Sequence, residues 1–373
     1  MHPLAYLLAQ DTTTVSSDPA ELSAFLSTKG DPDTLYLSQA RCEPDWPDFQ
    51  KAMQKEIQDF NAREHWELVP RSVLTHLKAY DIVKAIWSFK RKRRPTSKLL
   101  KNKARLCTHG GQQTKGLMYH ETYSPVVNWF TLRCFIVLSL INNWKTRQVD
   151  FVLAFPQAEL KSEVYMEIPY GFEVDTIGDW ILKLKQNVYG LKDAGQTWHL
   201  HLKQGLTQRG FTPSLIDPCV FYKGNLVLII YVDDMICMCP TNEPIDAFLT
   251  DMQKGGFTLT DQGDVNEYLG IKVVKAKDGK TMDLMQLHLI NKIITSASLS
   301  SESKTHQTLA ALILNKFKDS KTSTEKMDYR SVIGQMNYLA ATTRPDIAFA
   351  IHQCARFCSD PRKPHYEALK RIA

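Results

Sequence analysis

Residues 219–239 read CVFYKGNLVLIIYVDDMICMC. Two runs rich in β-branched and aromatic residues flank Gly224 and Asn225, a pair suited to a tight turn, so the segment predicts a β-hairpin whose second arm carries Asp233 and Asp234. Ionised carboxylates inside so apolar a run cost several kcal/mol unless something compensates them. Two acids of the same sign cannot compensate each other, and no lysine or arginine lies close by in this arm, so a bound cation is the simplest partner. The alternative is that the pair sits at a hairpin tip, solvated by water.

Working outward, WKTRQVDFVLAF (residues 144–155) reads as a strand interrupted by a single acid, Asp150, which on the plainer reading merely ends that strand. Phe130 to Leu140 is apolar with helical character, and QTWHLHLKQGLTQRG (residues 196–210) reads as a helix closed by Gly210. Strand, helix and hairpin with acids on the strands predict an antiparallel α+β palm. Asp150, Asp233 and Asp234 then suggest a shared site for Mg²⁺, which favours a few carboxylates plus substrate phosphates. Two such ions about 3.5–4 Å apart activate a hydroxyl and stabilise a leaving pyrophosphate, which is polymerase or nuclease chemistry.

Upstream, Phe49, Met53, Ile57 and Phe60 recur at helical spacing from Trp46 onward. Short strands around Tyr80 to Lys90, a turn at RRPTSK and a strand near Ala104 to His109 follow, together predicting a hairpin. Between Asp81 and Glu121 the chain has eleven lysines and arginines and no acid. That is either a phosphate-binding surface or a solvated basic loop. Residues 1–40 are polar and predict a loosely ordered leader, and residues 295–327, rich in Ser, Thr and Lys, predict a linker. Beyond it, YRSVIGQMNYLAATTRPDIAFAIHQCARF returns to helical periodicity, with Pro345 opening a second helix.

Composition permits a soluble folded enzyme: hydrophobic residues make up 43% and charged ones 23%, with a net charge of +6. The eight cysteines show no Cys-x-x-Cys pair and no zinc-type spacing, so they read as reduced thiols. The opening MHPLAYLLAQ lacks the features of a signal peptide, and LVLIIYV stops at Asp233, short of a membrane span. A reducing, aqueous compartment is expected.

The motifs together resemble the reverse transcriptases of copia-type long-terminal-repeat retrotransposons. WELV at Trp66, KARL at Lys103, ETYSPVV at Glu121, QVDFVLAF at Gln148, VYMEIPYGF at Val164, VYGLKDAGQTW at Val188, YVDD at Tyr231 and YLGIKV at Tyr268 follow the family's order. YRSVIGQMNYL at Tyr329 and TRPDIAFA at Thr343 continue it. The resemblance implies an α+β right-hand polymerase. Fingers would span about 46–140 and 160–210, and palm about 141–159 and 211–275, within a region 41–294. A helical thumb or connection segment would occupy 328–373, stopping before any ribonuclease H domain.

The resemblance also implies roles. Asp150, Asp233 and Asp234 would bind two Mg²⁺ ions, with Mn²⁺ as an alternative. Lys103 and Arg105 would hold the incoming dNTP, for which a point charge and a bidentate fork are suited. Phe155 would close the sugar pocket against a ribose 2′-OH, its plainer reading being an ordinary core phenylalanine. Gly190, Lys192 and Tyr231 would border template and nascent pair, and Leu269 and Gly270 would grip the primer end. The expected partners are an RNA template, a DNA primer or product and dNTPs, with no membrane, and integrase and ribonuclease H elsewhere in a polyprotein. The expected location is a cytoplasmic virus-like particle, with the nucleus as the alternative, and not outside the cell. One block departs from the family: Asp193, Ala194, Gly195 and Gln196 stand where Gln-Ala-Pro-Arg is usual, removing a cation and a proline. A fragment of a polyprotein is therefore expected, either active or the remnant of a decayed element that only binds nucleic acid. A metal-dependent phosphodiesterase accounts for the acids but not for the block order.

Overall fold

The computed structural model describes residues 33–73, 82–93, 99–172, 179–277, 279–300, 302–306, 313–317 and 327–373. Along the chain run β1 (Thr34–Tyr36), α1 (Trp46–Ala62), β2 (Trp66–Pro70), β3 (Ile82–Val83), β4 (Ala85–Arg93), β5 (Leu99–Thr108) and α2 (Trp129–Ile141). Next come β6 (Lys145–Phe151), β7 (Glu159–Met166), β8 (Trp180–Gln186), α3 (Ala194–Gln208), β9 (Thr212–Pro213), β10 (Val220–Lys223), β11 (Leu226–Tyr231), β12 (Asp234–Cys239) and α4 (Glu243–Lys254). The rest is β13 (Leu259–Gly263), β14 (Glu267–Tyr268), β15 (Ile271–Lys275), β16 (Met282–Met285), α5 (Leu287–Ser296), α6 (Tyr329–Thr342), α7 (Ala348–Ala355) and α8 (Lys363–Ile372). The predicted α+β class with mainly antiparallel sheets is what forms. No described helix is long and apolar enough to cross a membrane.

The chain divides into two compact units, residues 1–127, 149–235 and 246–261, and residues 128–148, 236–245 and 262–373. In the first, α1 buries Phe49, Met53, Ile57 and Phe60, the four residues whose spacing predicts it. They pack on one face of the antiparallel β1-β4-β5 sheet, where Phe89 meets Phe49 at 5.2 Å and Trp46 at 5.8 Å. Residues 33–40, expected to belong to a loose leader, are instead ordered. β1 pairs with β4, Leu35 lying opposite Phe89, and Leu35 and Ala40 are buried in the same core, which two apolar side chains in a polar stretch suffice to anchor. Residues 1–32 of that leader, and residues 94–98 of the expected RRPTSK turn, lie outside the described residues. A second sheet, ordered β2-β8-β7-β3, lines the other side of this core through Val164, Met166, Leu182 and Leu184.

The third sheet has the order β13-β6-β12-β11-β10-β9. Here the hairpin expectation needs correction. Val220 to Lys223 pairs with Leu226 to Ile229 around Gly224 and Asn225 as predicted, but the second arm ends at Tyr231. The chain then reverses again through Val232 and Asp233, and Asp234 opens β12. Val232 has φ +57 while Asp233 does not take a positive value, the signature of a type II′ turn, which normally takes glycine at its first central position. A valine gives no local cue for such a turn, and of the two readings the sequence left open, the one that set the pair at a hairpin tip is nearer to what forms. The strand expected over residues 144–155 likewise ends at Phe151, with Leu153 at φ +52 and a single helical turn over Phe155–Gln157.

In the second unit, β14, β15 and β16 form an antiparallel meander, and α5 to α8 enclose a core of Ile293, Val332, Met336, Ile347, Ile351 and Leu369. Asp328 caps α6 by accepting from Ser331 N at 3.0 Å, and Tyr329 donates to Cys354 O at 2.9 Å, tying α6 to α7. Within the predicted linker, residues 301, 307–312 and 318–326 lie outside the described residues. Of its described part, Leu314 packs on this core and Asn315 O accepts from buried His365 Nε2 at 2.8 Å.

Candidate active site

The acids come together through backbone. Phe151 N donates to Asp233 O at 2.9 Å, so the residue before it, Asp150, lies beside the Val232–Asp233 turn. Beneath both sits Trp198 of α3, only 1% exposed. Its Nε1 donates to Val232 O at 2.6 Å, and its ring stands edge-on to Phe151 at 5.1 Å. One buried indole thus fixes a strained turn and the end of β6 at once. In the sequence Trp198 is one letter of a motif, and nothing local distinguishes a core tryptophan from one that donates into an acidic turn.

The electrostatics follow from that juxtaposition. Burial, then the charges of Asp233 and Asp150, push the Asp234 carboxyl up to about 7. Burial and Asp233 also raise Asp150, against a smaller opposing pull from Lys92 and Lys103. No lysine or arginine forms an ion pair with any of the three among the described residues. The cluster therefore carries uncompensated negative charge that a cation would neutralise. Among the described residues no group of three or more His, Cys, Asp or Glu side chains could hold an ion by itself. An all-oxygen donor set that leaves coordination positions open fits Mg²⁺, which takes one or two carboxylates and completes its shell with water and substrate phosphates.

The β4–β5 hairpin gathers several lysines and Arg105 on one face. Because side chains alternate along strands, Ala104 and Leu106 turn to the core with their partners Phe89 and Trp87. Lys101, Lys103 and Arg105 take the other face, opposite Lys92, Lys90 and Ser88. Arg91 falls on the core-facing side and pairs with Asp45 and Glu43, each at 2.7 Å, holding Asp45 down at about 2. It is thus removed from the basic run counted in the sequence. Lys92, Lys101, Lys103 and Arg105 make no ion pair among the described residues. Burial, then the neighbouring charges of Arg105 and Lys92, bring Lys103 down to about 8, a strain that an incoming anion would relieve.

The remaining expected residues fall as follows. Phe155 is half-buried against the core of the first unit, and its ring lies 5.2 Å from that of Tyr189. Gly190 has φ +94, and a Cβ there would stand 2.2 Å from Thr108 O; the close approach that requires glycine is to the backbone of β5. Lys192 Nζ contacts Tyr119 Oη at 3.3 Å, and its backbone N donates to Gln113 Oε1 at 2.6 Å. Tyr231 ends β11 next to the acidic turn, its hydroxyl raised by burial and by Asp233 and Asp234. In the second unit, Leu269 (φ +52) and Gly270 (φ +76) are the two central residues of the β14–β15 hairpin, a type I′ turn. Tyr338 Oη donates to Leu269 O at 3.0 Å, fixing that turn to α6. Tyr189, not singled out in the sequence, has Arg105 Cζ 4.1 Å from its ring centroid and so joins Arg105 to Phe155.

Residues 66–310 match the family described as reverse transcriptase (RNA-dependent DNA polymerase). The chain belongs to that family. The resemblance to copia-type elements drawn from the motifs is borne out by its relatives. It is 29% identical over 365 residues to the "Retrovirus-related Pol polyprotein from transposon TNT 1-94" of Nicotiana tabacum, covering 95% of this chain and 27% of that protein. It is 30% identical over 356 residues to the "Retrovirus-related Pol polyprotein from transposon RE1" of Arabidopsis thaliana, covering 94% of this chain and 23% of that protein. This reverse transcriptase chain thus spans about a quarter of the length of those relatives. Among solved structures, a foamy viral protease-reverse transcriptase in complex with double-stranded DNA matches at 10% identity and a TM-score of 0.42, over 87% of this chain and 47% of that one.

Proposed function

We propose that the chain is an RNA-directed DNA polymerase that adds deoxynucleotides to a primer 3′-OH. The observation that carries this is that Asp150, at the end of β6, lies beside the turn that bears Asp233 and Asp234, none of the three with an ion-pair partner among the described residues, in the unit that also presents the basic face of β5. On this reading the β4–β5 hairpin belongs to the fingers, the β6-β12-β11-β10 strands to the palm, and α6 to α8 to the thumb or connection. Asp150, Asp233 and Asp234 would be the oxygen donors for two Mg²⁺ ions, with Mn²⁺ as a substitute. When bound, such ions supply the positive charge that activates the attacking hydroxyl and stabilises the leaving pyrophosphate.

The chain's own groups do the rest. Lys103 and Arg105 take the triphosphate, Lys103 gaining a counter-charge for its half-buried ammonium. Phe155 flanks the sugar. Trp198, through Val232 O and Phe151, keeps the acidic turn and Asp150 in register. Lys92 and Lys101 extend the basic face toward nucleic-acid phosphates. The RNA template, the primer and the companion polyprotein domains are part of the proposal, as is residence in a cytoplasmic particle.

Primer extension on an RNA template with dNTPs and Mg²⁺ tests this, with Asp233→Asn as control. Extension by the wild type that the substitution abolishes, with template binding retained, supports the polymerase, because phosphate contacts rather than carboxylates supply affinity. A folded protein that binds template and extends nothing is the inactive remnant foreshadowed by the Asp193 to Gln196 departure.

A further inference from the structure

Three side chains from three separate parts of the first unit meet at one ring. Arg105 comes from β5, Phe155 from the helical turn after β6, and Tyr189 from the loop before α3. Arg105 Cζ lies 4.1 Å from the Tyr189 centroid, inside the range of a cation–π contact. The Phe155 ring lies 5.2 Å from the same centroid at an interplanar angle of 48°. Arg105 has no carboxylate partner among the described residues, in contrast with Arg91 on the same hairpin, which is clamped by Asp45 and Glu43.

The ring's position is set by backbone rather than by chance packing. Tyr189 O accepts from Thr108 N at 2.7 Å and from Thr108 Oγ1 at 3.4 Å, and Tyr189 bridges to Cys107. The next residue, Gly190, permits this only because it lacks a Cβ, which would otherwise collide with Thr108 O at 2.2 Å. On the other side, a Cβ on Gly110 would stand 2.1 Å from Gly190 O. The loop is thus locked to the end of β5 at Cys107 and Thr108, two and three residues beyond Arg105. A planar guanidinium resting on a fixed ring loses less rotamer freedom on binding a phosphate than a free one.

We infer that Tyr189 is a positioning residue of the nucleotide site, its ring orienting the Arg105 guanidinium toward the triphosphate and bracing Phe155 beside the sugar. Affinity for the triphosphate and discrimination between deoxyribose and ribose are then set by one side chain. This rests on the polymerase reading and assigns Tyr189 a role beyond it.

The test uses Tyr189→Leu, which keeps bulk but removes the ring, and Tyr189→Phe, which restores the ring without the hydroxyl. Steady-state extension should show the KM for dNTP rising about tenfold in Tyr189→Leu with kcat changed far less, the scale of a lost cation–π contact and a freed side chain. Preference for dNTP over rNTP should fall in parallel, and Tyr189→Phe should recover both. Arg105→Ala should cost less on the Tyr189→Leu background than on the wild type, since the two residues act as one unit. Nucleotide affinity is also read without turnover, from dNTP uptake with Ca²⁺ on a dideoxy-terminated primer. Wild-type uptake that Tyr189→Leu leaves intact overturns this inference alone. A wild type that takes up no dNTP overturns the polymerase reading and this inference with it. Should Tyr189→Leu fail to fold, Tyr189→Met is read by the same criteria.

Discussion

Replacing Asp234 by Asn should stabilise the metal-free protein above neutral pH while abolishing synthesis. Burial, together with the Asp233 and Asp150 charges, lifts this carboxyl from 3.8 to about 7. A rise of about three units corresponds to about 4 kcal/mol of differential interaction between its two protonation states. Because the folded value lies above the unfolded one, the contribution is fully present below about pH 4 and is lost as pH rises through about 7. Above that, the metal-free fold carries an ionised carboxylate beside two others. Asparagine keeps the shape and removes the charge, but part of the repulsion is relieved in the wild type by relaxation. A gain of about 2–4 kcal/mol remains, worth about 3–5 °C in melting midpoint for a chain of this size. Thermal unfolding in EDTA at about pH 4.5 and about pH 8 measures it directly. The variant should melt well above the wild type at the higher pH and close to it at the lower. Added Mg²⁺ should raise the wild type and narrow the gap, because only the wild type retains all three donors. Equal midpoints at the higher pH would refute the reading of these acids as a mutually repelling, cation-seeking cluster.

Trp198→Phe removes the hydrogen bond to Val232 O while keeping most of the packing; a loss of about 1–3 kcal/mol in unfolding free energy is expected, with extension falling much further than template affinity. Retained extension would show that the turn holds its shape unaided. Gly190→Ala places a Cβ 2.2 Å from Thr108 O at a positive φ and should cost about 2–4 kcal/mol, read as a lower melting point with faster hydrogen exchange at Thr108. Wild-type stability in that variant would mean the loop is free to move. His65, 1% exposed, is brought down to about 4 by burial and by Arg63, so its folded value lies below the unfolded 6.5. Stability is therefore complete above about pH 6.5 and declines as pH falls toward about 4, by up to about 3 kcal/mol. His65→Leu should flatten that part of the acid-unfolding profile, and an unchanged profile would assign the loss to other groups.

Much of the site was legible in the chain because its signals are local. The spacing of Phe49, Met53, Ile57 and Phe60 specifies one helical face wherever it docks, and the structure buries that face. Acids set in apolar strands advertise a site because their desolvation is costly in any fold. Alternation along β4 and β5 separates a core face from a charged one, and a bare count of charges along the chain does not sort them by face. Arg91, facing Asp45 and Glu43, therefore does not join Lys103 and Arg105 on the charged face.

What the sequence by itself determined, then, was the class of elements and the basic hairpin, and it singled out the three aspartates proposed here as the metal site. Only the tertiary structure decided the rest, because the deciding contacts join residues far apart along the chain. The second reversal of the acidic hairpin has no turn residue to announce it; Val232 holds φ +57 with its carbonyl engaged by Trp198, 34 residues earlier. Gly190 owes its smallness to Thr108, and Tyr189 meets Arg105 and Phe155 through a loop locked to β5 across 81 residues. Local periodicity records which face a residue turns inward, but a left-handed valine or a shared aromatic ring is specified by its neighbours in space, and those exist only once the chain has folded.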